Sequence, residues 1–231
     1  MRLQVADTAL DLIGDTPLLH LRSFDAPGGA AVFAKLEFLN PGGSPQDRTA
    51  LGLIQDAETR GRLRPGATLI DAGTGNAGIG LALVGARRGY RTIVVVPEDA
   101  SAEKRALARA LGATVVTTPA SEGMEGSLAR ARAIAAETPG SFLPERFDNP
   151  ANAEIHYRTT GREIWQQMQG RIDALVVGAA SGGTFTGVAR YLKERHPGAL
   201  AVLVESEGSV LGGGSRAAHR VDEIGSPFFP A

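Results

Sequence analysis

Three glycine-bearing segments contain the residues of this chain best suited to hold a ligand. They are residues 40–48 (NPGGSPQDR), 72–78 (AGTGNAG) and 179–184 (AASGGT). Glycine lets the backbone approach a ligand closely, and the free N–H groups at the start of a helix attract anions. The third segment is expected to open a helix, which predicts an anion-binding cup there. One such loop is weak evidence, since tight turns also use glycine, but three in this order favour a binding site.

Composition narrows the classes of protein that fit. The 231 residues include 24 basic and 25 acidic side chains, a net charge near −1 that gives no electrostatic case for nucleic acid or an anionic membrane. Without cysteine there is no disulfide or thiolate metal site, and no apolar run approaches membrane-spanning length. The start of the chain does not resemble a signal peptide, and we expect a cytoplasmic protein. No metal is expected, because no ligand spacing links His20, His156, His196 and His219.

Short apolar runs alternate with helical patterns, which predicts an α/β fold with parallel sheets flanked by helices. Helices are expected at 155–169 and 185–195, and a third is expected to begin after Ser101 as N-cap and end at Gly112. In such folds ligands bind beyond the carboxyl ends of the strands, where segments 72–78 and 179–184 lie. The predicted strands are residues 31–38, 68–71, 92–97, 113–117, 174–178 and 201–204.

Further motifs accompany these loops and make the pattern specific. They are IGDTPL at 13–18, KLE at 35–37, NPAN at 149–152, His156 and TTG at 159–161. With them the chain resembles, over essentially its whole length, the fold-type-II pyridoxal-phosphate (PLP) enzymes, in particular the cysteine synthases and cystathionine β-synthases. The resemblance implies a two-lobed architecture. The larger lobe would comprise residues 1–40 with 145–231, and the smaller lobe residues 41–144.

The resemblance also implies PLP as cofactor and assigns roles to particular positions. The PLP phosphate is assigned to a cup made of Ala180, Ser181, Gly182, Gly183 and Thr184, and the ring hydroxyl to Asn76. The substrate carboxylate is assigned to Gly73, Thr74, Gly75, Asn76, Ala77 and Arg146. Family members hold the PLP aldehyde on a lysine whose position is occupied here by Gln46. An amide is neither nucleophilic nor titratable, so we expect no covalent PLP and assign no catalytic residue.

Other departures from the family pattern cluster at the same site. Gly73 and Ala77 lack the hydroxyls of the usual Thr-Ser-Gly-Asn-Thr loop, Arg146 replaces a glutamine, and Glu223 replaces the first glycine of Gly-Ile-Gly. Several altered positions on an intact scaffold favour a natural homologue with changed chemistry over an engineered single mutant. The chain is also shorter than the family at its C-terminus, where a partner of the pyridine nitrogen is expected.

Charged residues outside the loops have simpler interpretations. Lys35, Lys104 and Lys193 are interpreted as solvated or structural charges. Arg146 is either a surface ion pair or an anion clamp, and Glu223 is a possible partner for it.

Two functions from different classes remain open. The first is a cysteine-synthase-like homologue without conventional PLP catalysis, which binds a small anionic ligand or a protein partner in the inherited cleft. Cysteine synthases provide a precedent, since they bind the carboxyl tail of serine acetyltransferase there. The second is a PLP-dependent β-replacement or β-elimination enzyme for an activated serine, inactivated by mutation or shortened. A homodimer is expected in either case, because an apolar face near 201–204 would otherwise be open to water.

Overall fold

The computed structural model describes residues 5–25, 27–73, 75–217, 221, 223–226 and 228–230. Its first sheet is a two-stranded antiparallel ribbon of β1 (Leu18–His20) and β2 (Phe33–Lys35). The strand predicted at 31–38 is therefore shorter than expected, and its antiparallel pairing differs from the predicted parallel one. The reason is local: the chain turns into a single 3-10 turn at Glu37–Leu39, which ends the strand after Lys35.

The second sheet is parallel and has the order β3 (Thr68–Ala72), β4 (Arg91–Pro97), β5 (Thr114–Thr118). Every residue of β3 is buried, as the unbroken apolar pattern predicts for a strand covered on both faces. The α/β prediction with parallel sheets is thereby confirmed. The helices of this region are α1 (Gln46–Thr59), α2 (Asn76–Arg88), α3 (Ala102–Ala110) and α4 (Gly123–Glu137). The Ser101 N-cap is also confirmed, because its hydroxyl accepts the Lys104 N–H at 3.3 Å.

Small residues on α2 bring this helix close to its neighbours. A Cβ at Gly78 would lie 2.4 Å from a Val94 methyl, so only glycine allows this approach to the sheet. A Cβ at Gly80 would lie 2.7 Å from the Gln46 carbonyl oxygen, so α1 also packs directly on α2. Because of this contact, the first residue of α1 lies beside the first turn of α2, and both helix N-termini face the same space.

The third sheet contains β6 (Ala174–Gly178) and β7 (Leu200–Val204), which pair in parallel. Helix α7 (Gly183–Arg195) connects them and ends at Arg195 before Pro197, as predicted. The single helix predicted at 155–169 is instead α5 (Ala151–His156), a π-helical turn (Tyr157–Gly161) and α6 (Arg162–Gln167). One side of β6 and β7 is covered by α7, whereas Val176 and Leu200 on the other side are 63% and 64% exposed.

A buried ionic network joins α1 to the N-terminal segment and to α6. Arg48 is 1% exposed and pairs with Glu37 at 2.8 Å and with Glu163 at 2.5 Å. Lys35 reaches the same Glu163 at 2.7 Å, so the prediction of a structural charge for Lys35 is confirmed. Although burial opposes ionisation, hydrogen bonds and charge from Arg48 and Lys35 lower the pKa of Glu163 to about 2. The network fixes the start of α1, which positions Gln46.

No helix among the described residues is long and apolar enough to cross a membrane.

Candidate functional site

A cavity of about 680 Å³ lies where the N-termini of α1, α2 and α7 converge. We call it the cleft. Segments from the three glycine-bearing loops line it, as the prediction from strand-end geometry requires, because β3 and β6 both end at its edge. Its lining includes Gln46, Gly75, Ala77, Arg146, Ala180, Ser181 and Glu223. The volume suits a cofactor-sized molecule.

Residues 180–184, which we call the cup after the anion-binding role predicted for them, form the start of α7. Gly182 is the N-cap, with φ of +77° in the left-handed region that favours glycine. A Cβ at Gly183 would lie 2.0 Å from Asn152 Oδ1, so the backbone is pressed against α5. Asn152 Nδ2 also donates to Ser181 Oγ at 3.0 Å, which fixes the rim. Within the described part of the chain, the N–H groups of residues 181–184 donate no hydrogen bond, so they are available to an anion.

His156 supports the cup from below. Its Nε2 lies 3.2 Å from Thr184 Oγ1 and 3.0 Å from Thr49 Oγ1, and its Nδ1 lies 2.9 Å from Thr160 Oγ1. Burial lowers the pKa of His156 to about 4, so the ring is neutral at neutral pH. The imidazole therefore acts as an uncharged connector of three hydroxyls rather than as a cation for the anion.

Residues 73–77, which we call the substrate loop after the role that the resemblance assigns to them, connect β3 to α2. Gly75 is the N-cap of α2, and Asn76 begins the helix with its side chain making no hydrogen bond to the described residues. A Cβ at Gly73 would lie 3.5 Å from Arg146 Nη2, and the Ala77 methyl is the other close neighbour of that position. Thr74, also assigned to the substrate carboxylate, lies outside the described residues. The loop thus offers backbone and one guanidinium edge where the family pattern has hydroxyls.

Arg146 is a buried residue, and its interpretation as a surface ion pair is wrong. Its side chain is 8% exposed and Nη1 donates to Asp71 Oδ2 at 2.8 Å and to the Ala72 carbonyl. Its guanidinium also lies 4.6 Å from the centre of the Phe147 ring. Burial raises the pKa of Asp71, and the positive charge of Arg146 opposes that rise. Among the described residues Nε and Nη2 of Arg146 have no acceptor, so one edge of the guanidinium is held and the other is open, in a residue that lines the cleft.

Glu223 pairs with Lys104 and not with Arg146 as the sequence suggested. The Lys104 Nζ lies 2.9 Å from Glu223 Oε1, and the same oxygen accepts the Asn76 N–H at 3.3 Å. To reach it, the lysine crosses Gly75, where a Cβ would lie 2.1 Å from Lys104 Cδ. Lys104 therefore contacts two residues that line the cleft, Gly75 and Glu223, a role that sequence reasoning missed. The sequence contained one signal for this contact: Gly75 leaves space for a passing side chain, and Glu223 adds a carboxylate where the family has glycine.

Gln46 lies at the floor of the cleft, in the first turn of α1. Its Oε1 is buried and has no hydrogen-bond partner among the described residues. The next residue, Asp47, accepts the Gly42 N–H, and burial raises its pKa to about 6. Lys35 and Lys193 are committed elsewhere, to Glu163 and to the Pro197 carbonyl. Position 46 therefore presents an amide, with one atom unsatisfied, where an amine would be needed for covalent attachment.

No group of three or more His, Cys, Asp or Glu side chains in the described ranges is arranged to hold a metal ion.

Fold and cleft together define an α/β protein with a cavity at which three helix N-termini converge. The chain belongs to the pyridoxal-phosphate dependent enzyme family, whose sequence pattern matches residues 9–230. It is 46% identical over 220 residues to the O-acetylserine dependent cystathionine beta-synthase of Bacillus subtilis (strain 168), covering 95% of this chain and 72% of the relative. It is 43% identical over 226 residues to cysteine synthase of Staphylococcus aureus, covering 97% and 73%.

Solved structures of the family have the same fold. The O-acetylserine dependent cystathionine beta-synthase of Helicobacter pylori superposes with a TM-score of 0.94 at 42% identity, covering 99% of this chain and 75% of that one. An O-ureido-L-serine synthase superposes with a TM-score of 0.93 at 38% identity, covering 98% and 72%. A mutant of that synthase with one lysine changed to alanine contains bound O-ureido-L-serine, with a TM-score of 0.91 at 38% identity over 98% and 71% of the two chains. The resemblance to fold-type-II PLP enzymes is confirmed.

The residues present fit PLP at one end only. The N–H groups of the cup, which donate to none of the described residues, fit its phosphate. Asn76, whose side chain likewise bonds to no described residue, lies between Gly75 and Ala77, which line the cavity. At the aldehyde end, Gln46 offers no amine.

Proposed function

We propose that this protein binds a small anionic ligand in the cleft and does not carry out conventional PLP catalysis. The proposal depends on a contrast between two parts of the same cavity, the cup and position 46. The cup has four N–H groups at a helix start that donate to none of the described residues, whereas position 46 has an amide in place of the amine. Binding capacity and the covalent step are thus separated in this chain.

The cup is the anion-binding part of the proposed site. Its donors are backbone groups, which do not depend on side-chain identity elsewhere in the cleft. Ala180, Ser181, Gly182, Gly183 and Thr184 would hold a phosphate, either free or as part of PLP. PLP supplies an electron sink to amines joined to its aldehyde. In this chain the cofactor would be held without a covalent bond.

The substrate loop and Arg146 form a second, neighbouring position for negative charge. Arg146 Nη2 lies 3.5 Å from the position of a Gly73 Cβ, an ordinary van der Waals distance, so the guanidinium lies directly beside the loop. Its open edge suits a carboxylate, because charged hydrogen bonds to carboxylates are strong and directional. The lysine-to-alanine mutant of O-ureido-L-serine synthase, which holds O-ureido-L-serine, supports an amino-acid ligand as the second occupant.

The absence of a base at position 46 argues for binding rather than turnover. Proton transfer needs a titratable group near the reacting atom. Gln46 cannot titrate, and His156 is neutral and already engaged by three hydroxyls beneath the cup. The alternative, a β-replacement or β-elimination enzyme that has lost its lysine by mutation, is favoured by the names of the relatives.

A second copy of the chain is the proposed partner. Val176, Leu200, Val202 and Val204 are exposed along one side of β6 and β7, and water contact with such a face is unfavourable.

Two further proposals concern the domains and the location of the protein. The chain divides into a larger lobe of residues 1–40 with 145–231 and a smaller lobe of residues 41–144, and the protein is cytoplasmic. A protein partner inserted in the cleft is the alternative occupant to a small ligand.

Calorimetric titration with inorganic phosphate and with PLP tests the proposed function. Both should release or absorb heat on binding and raise the melting temperature. Ser181→Asp, which adds negative charge at the rim of the cup, should abolish both effects. Ser121→Asp makes the same change on an exposed turn and should leave them intact. If neither phosphate nor PLP gives heat or a thermal shift with the unmodified chain, the cup is structural and the proposal fails.

A further inference from the structure

Glu223 places a carboxylate of the protein itself inside the cleft. Its Oε1 accepts the N–H of Asn76, the first residue of α2, at 3.3 Å, and lies 2.9 Å from Lys104 Nζ. A carboxylate that takes one backbone N–H at a helix start and one ammonium has the contacts that a free carboxylate ligand would seek. The position is therefore already filled by the chain.

The backbone around Glu223 is anchored, so the side chain is aimed at this position. The Gly225 N–H donates to the Ala179 carbonyl at 2.7 Å, and Ser206 Oγ donates to the Ile224 carbonyl at 3.2 Å. Glu223 itself has φ of +65°, a left-handed conformation that is uncommon for a residue other than glycine. Neighbouring contacts hold this conformation, which directs the carboxylate across the cleft to α2.

Lys104 reaches the Glu223 carboxylate from helix α3, and its path is also fixed by the neighbouring backbone. Its stem passes over Gly75, where any side chain would collide with it, since the Cδ lies 2.1 Å from the position of a Cβ. The two side chains are about one-quarter exposed, at 23% for Lys104 and 30% for Glu223, so water and solutes reach the pair. The pair joins two separate segments at the edge of the cleft, because Lys104 comes from α3 and Glu223, which lines the cleft, comes from the segment after β7.

We propose that Glu223 is an internal competitor for a carboxylate-bearing ligand, and that such a ligand binds by displacing it from Asn76 and Lys104. This inference rests on the proposed function, because it assigns an occupant to one part of the same cleft. Lys104 then receives the ligand carboxylate, and Arg146 also lines the cavity. Glu223 thereby weakens the apparent affinity of the cleft for a carboxylate ligand, because the ligand must first displace it.

L-Serine is the probe for this inference, and L-serinamide, which lacks the carboxylate, is its matched control. Glu223→Gln removes the competing charge and keeps the size of the side chain. Because a partly exposed ion pair and one charged hydrogen bond are lost from the free state, L-serine should bind about fivefold to tenfold more tightly. L-Serinamide should be unaffected. In the Glu223→Gln background, Lys104→Gln should reverse the gain for L-serine.

Glu125→Gln controls for a general change in electrostatic potential. Glu125 also pairs with a cationic residue of the cleft wall, Arg216, at 2.9 Å, but has no bond to Asn76. It should leave L-serine affinity within about twofold, as expected for exposed pairs. An equal gain from Glu125→Gln and Glu223→Gln would show a diffuse charge effect and overturn the inference.

The phosphate and L-serine titrations together distinguish failure of this inference from failure of the proposed function. If phosphate binds the cup but L-serine affinity is unchanged by Glu223→Gln, the internal competitor is disproved and the anion site stands. If L-serinamide gains as much as L-serine, carboxylate competition is disproved as well. If no variant binds phosphate or L-serine, both proposals fall. The expected pattern is phosphate binding by all variants, with a carboxylate-specific gain only in Glu223→Gln.

Discussion

Removing the charge of Arg146 should destabilise the fold, because it leaves Asp71 buried without its partner. Both side chains are 8% exposed and Nη1 lies 2.8 Å from Oδ2. Breaking a buried ion pair by removal of one partner costs about 3–5 kcal/mol. Since Arg146 also borders the cleft, where water can enter, we expect Arg146→Met to cost about 3 kcal/mol at pH 7. That is a large share of the roughly 5–15 kcal/mol that holds a typical domain folded.

The pH dependence of this loss has a defined sign. Burial already raises the pKa of Asp71, and loss of the arginine charge should raise it further. A carboxyl whose folded-state pKa is raised binds its proton more tightly in the folded state. The deficit of Arg146→Met should therefore shrink as pH falls below the folded pKa and grow as pH rises through it.

Urea denaturation followed by circular dichroism measures the free energy of unfolding of each variant. Asp71→Asn with Arg146→Met removes both charges and should recover much of the loss, so the double-mutant cycle isolates the coupling. Trp165, the single tryptophan, lies in the cluster around α7 and gives an independent signal from the other sheet. A cost below about 1 kcal/mol, or a deficit that does not change with pH, would refute the reasoning from burial.

Three further predictions concern the cofactor, the missing lysine and assembly. Borohydride reduction with PLP followed by mass spectrometry should show no pyridoxyl adduct, because Gln46 has no amine; an adduct on Lys104, the lysine at the cleft, would contradict this. Gln46→Lys should not restore β-replacement of O-acetylserine at the rates of a normal family member, since Gly73 and Ala77 each lack a donor worth about 1.5–3 kcal/mol to a charged group; rapid turnover would favour the enzyme alternative. Sedimentation at low micromolar concentration should give the mass of two chains, and a monomer that unfolds cooperatively would show that the exposed face of β6 and β7 tolerates water.

The parts of the fold that follow local rules could be predicted from the sequence. Apolar runs gave the position of β3, β4 and β6 to within a residue or two, since buried parallel strands need no alternation. The Ser101 N-cap and the end of α7 before Pro197 follow from hydrogen-bonding and proline geometry. Segments 72–78 and 179–184 follow the carboxyl ends of β3 and β6, as the rule for ligand sites in α/β folds predicts. These strands belong to different sheets, so the convergence of the loops on one cavity depends on how the two sheets pack and could not be predicted from that rule alone.

Interactions between distant side chains could not be predicted in this way. Arg146 and Asp71 are separated by 75 residues, and Lys104 and Glu223 by 119. Each pair forms because the packing of the fold brings two flexible side chains together. Neither the hydrophobic pattern nor the residue spacing of the sequence contains that information. The sequence therefore paired Glu223 with Arg146 by proximity to the same site. In the structure Arg146 reaches a strand beneath the loop, and Lys104 reaches across it.

The π-helical turn Tyr157–Gly161 has a consequence for changes in chain length. On its N-terminal side His156 faces the cup, and on its C-terminal side Glu163 faces Arg48. Deleting one residue from the turn would convert it to ordinary α-helix and rotate Glu163 by about 100° relative to His156. One of the two contacts would then break. The number of residues in this turn is therefore constrained independently of their side chains, and a deletion there should disturb the cup or the ionic network.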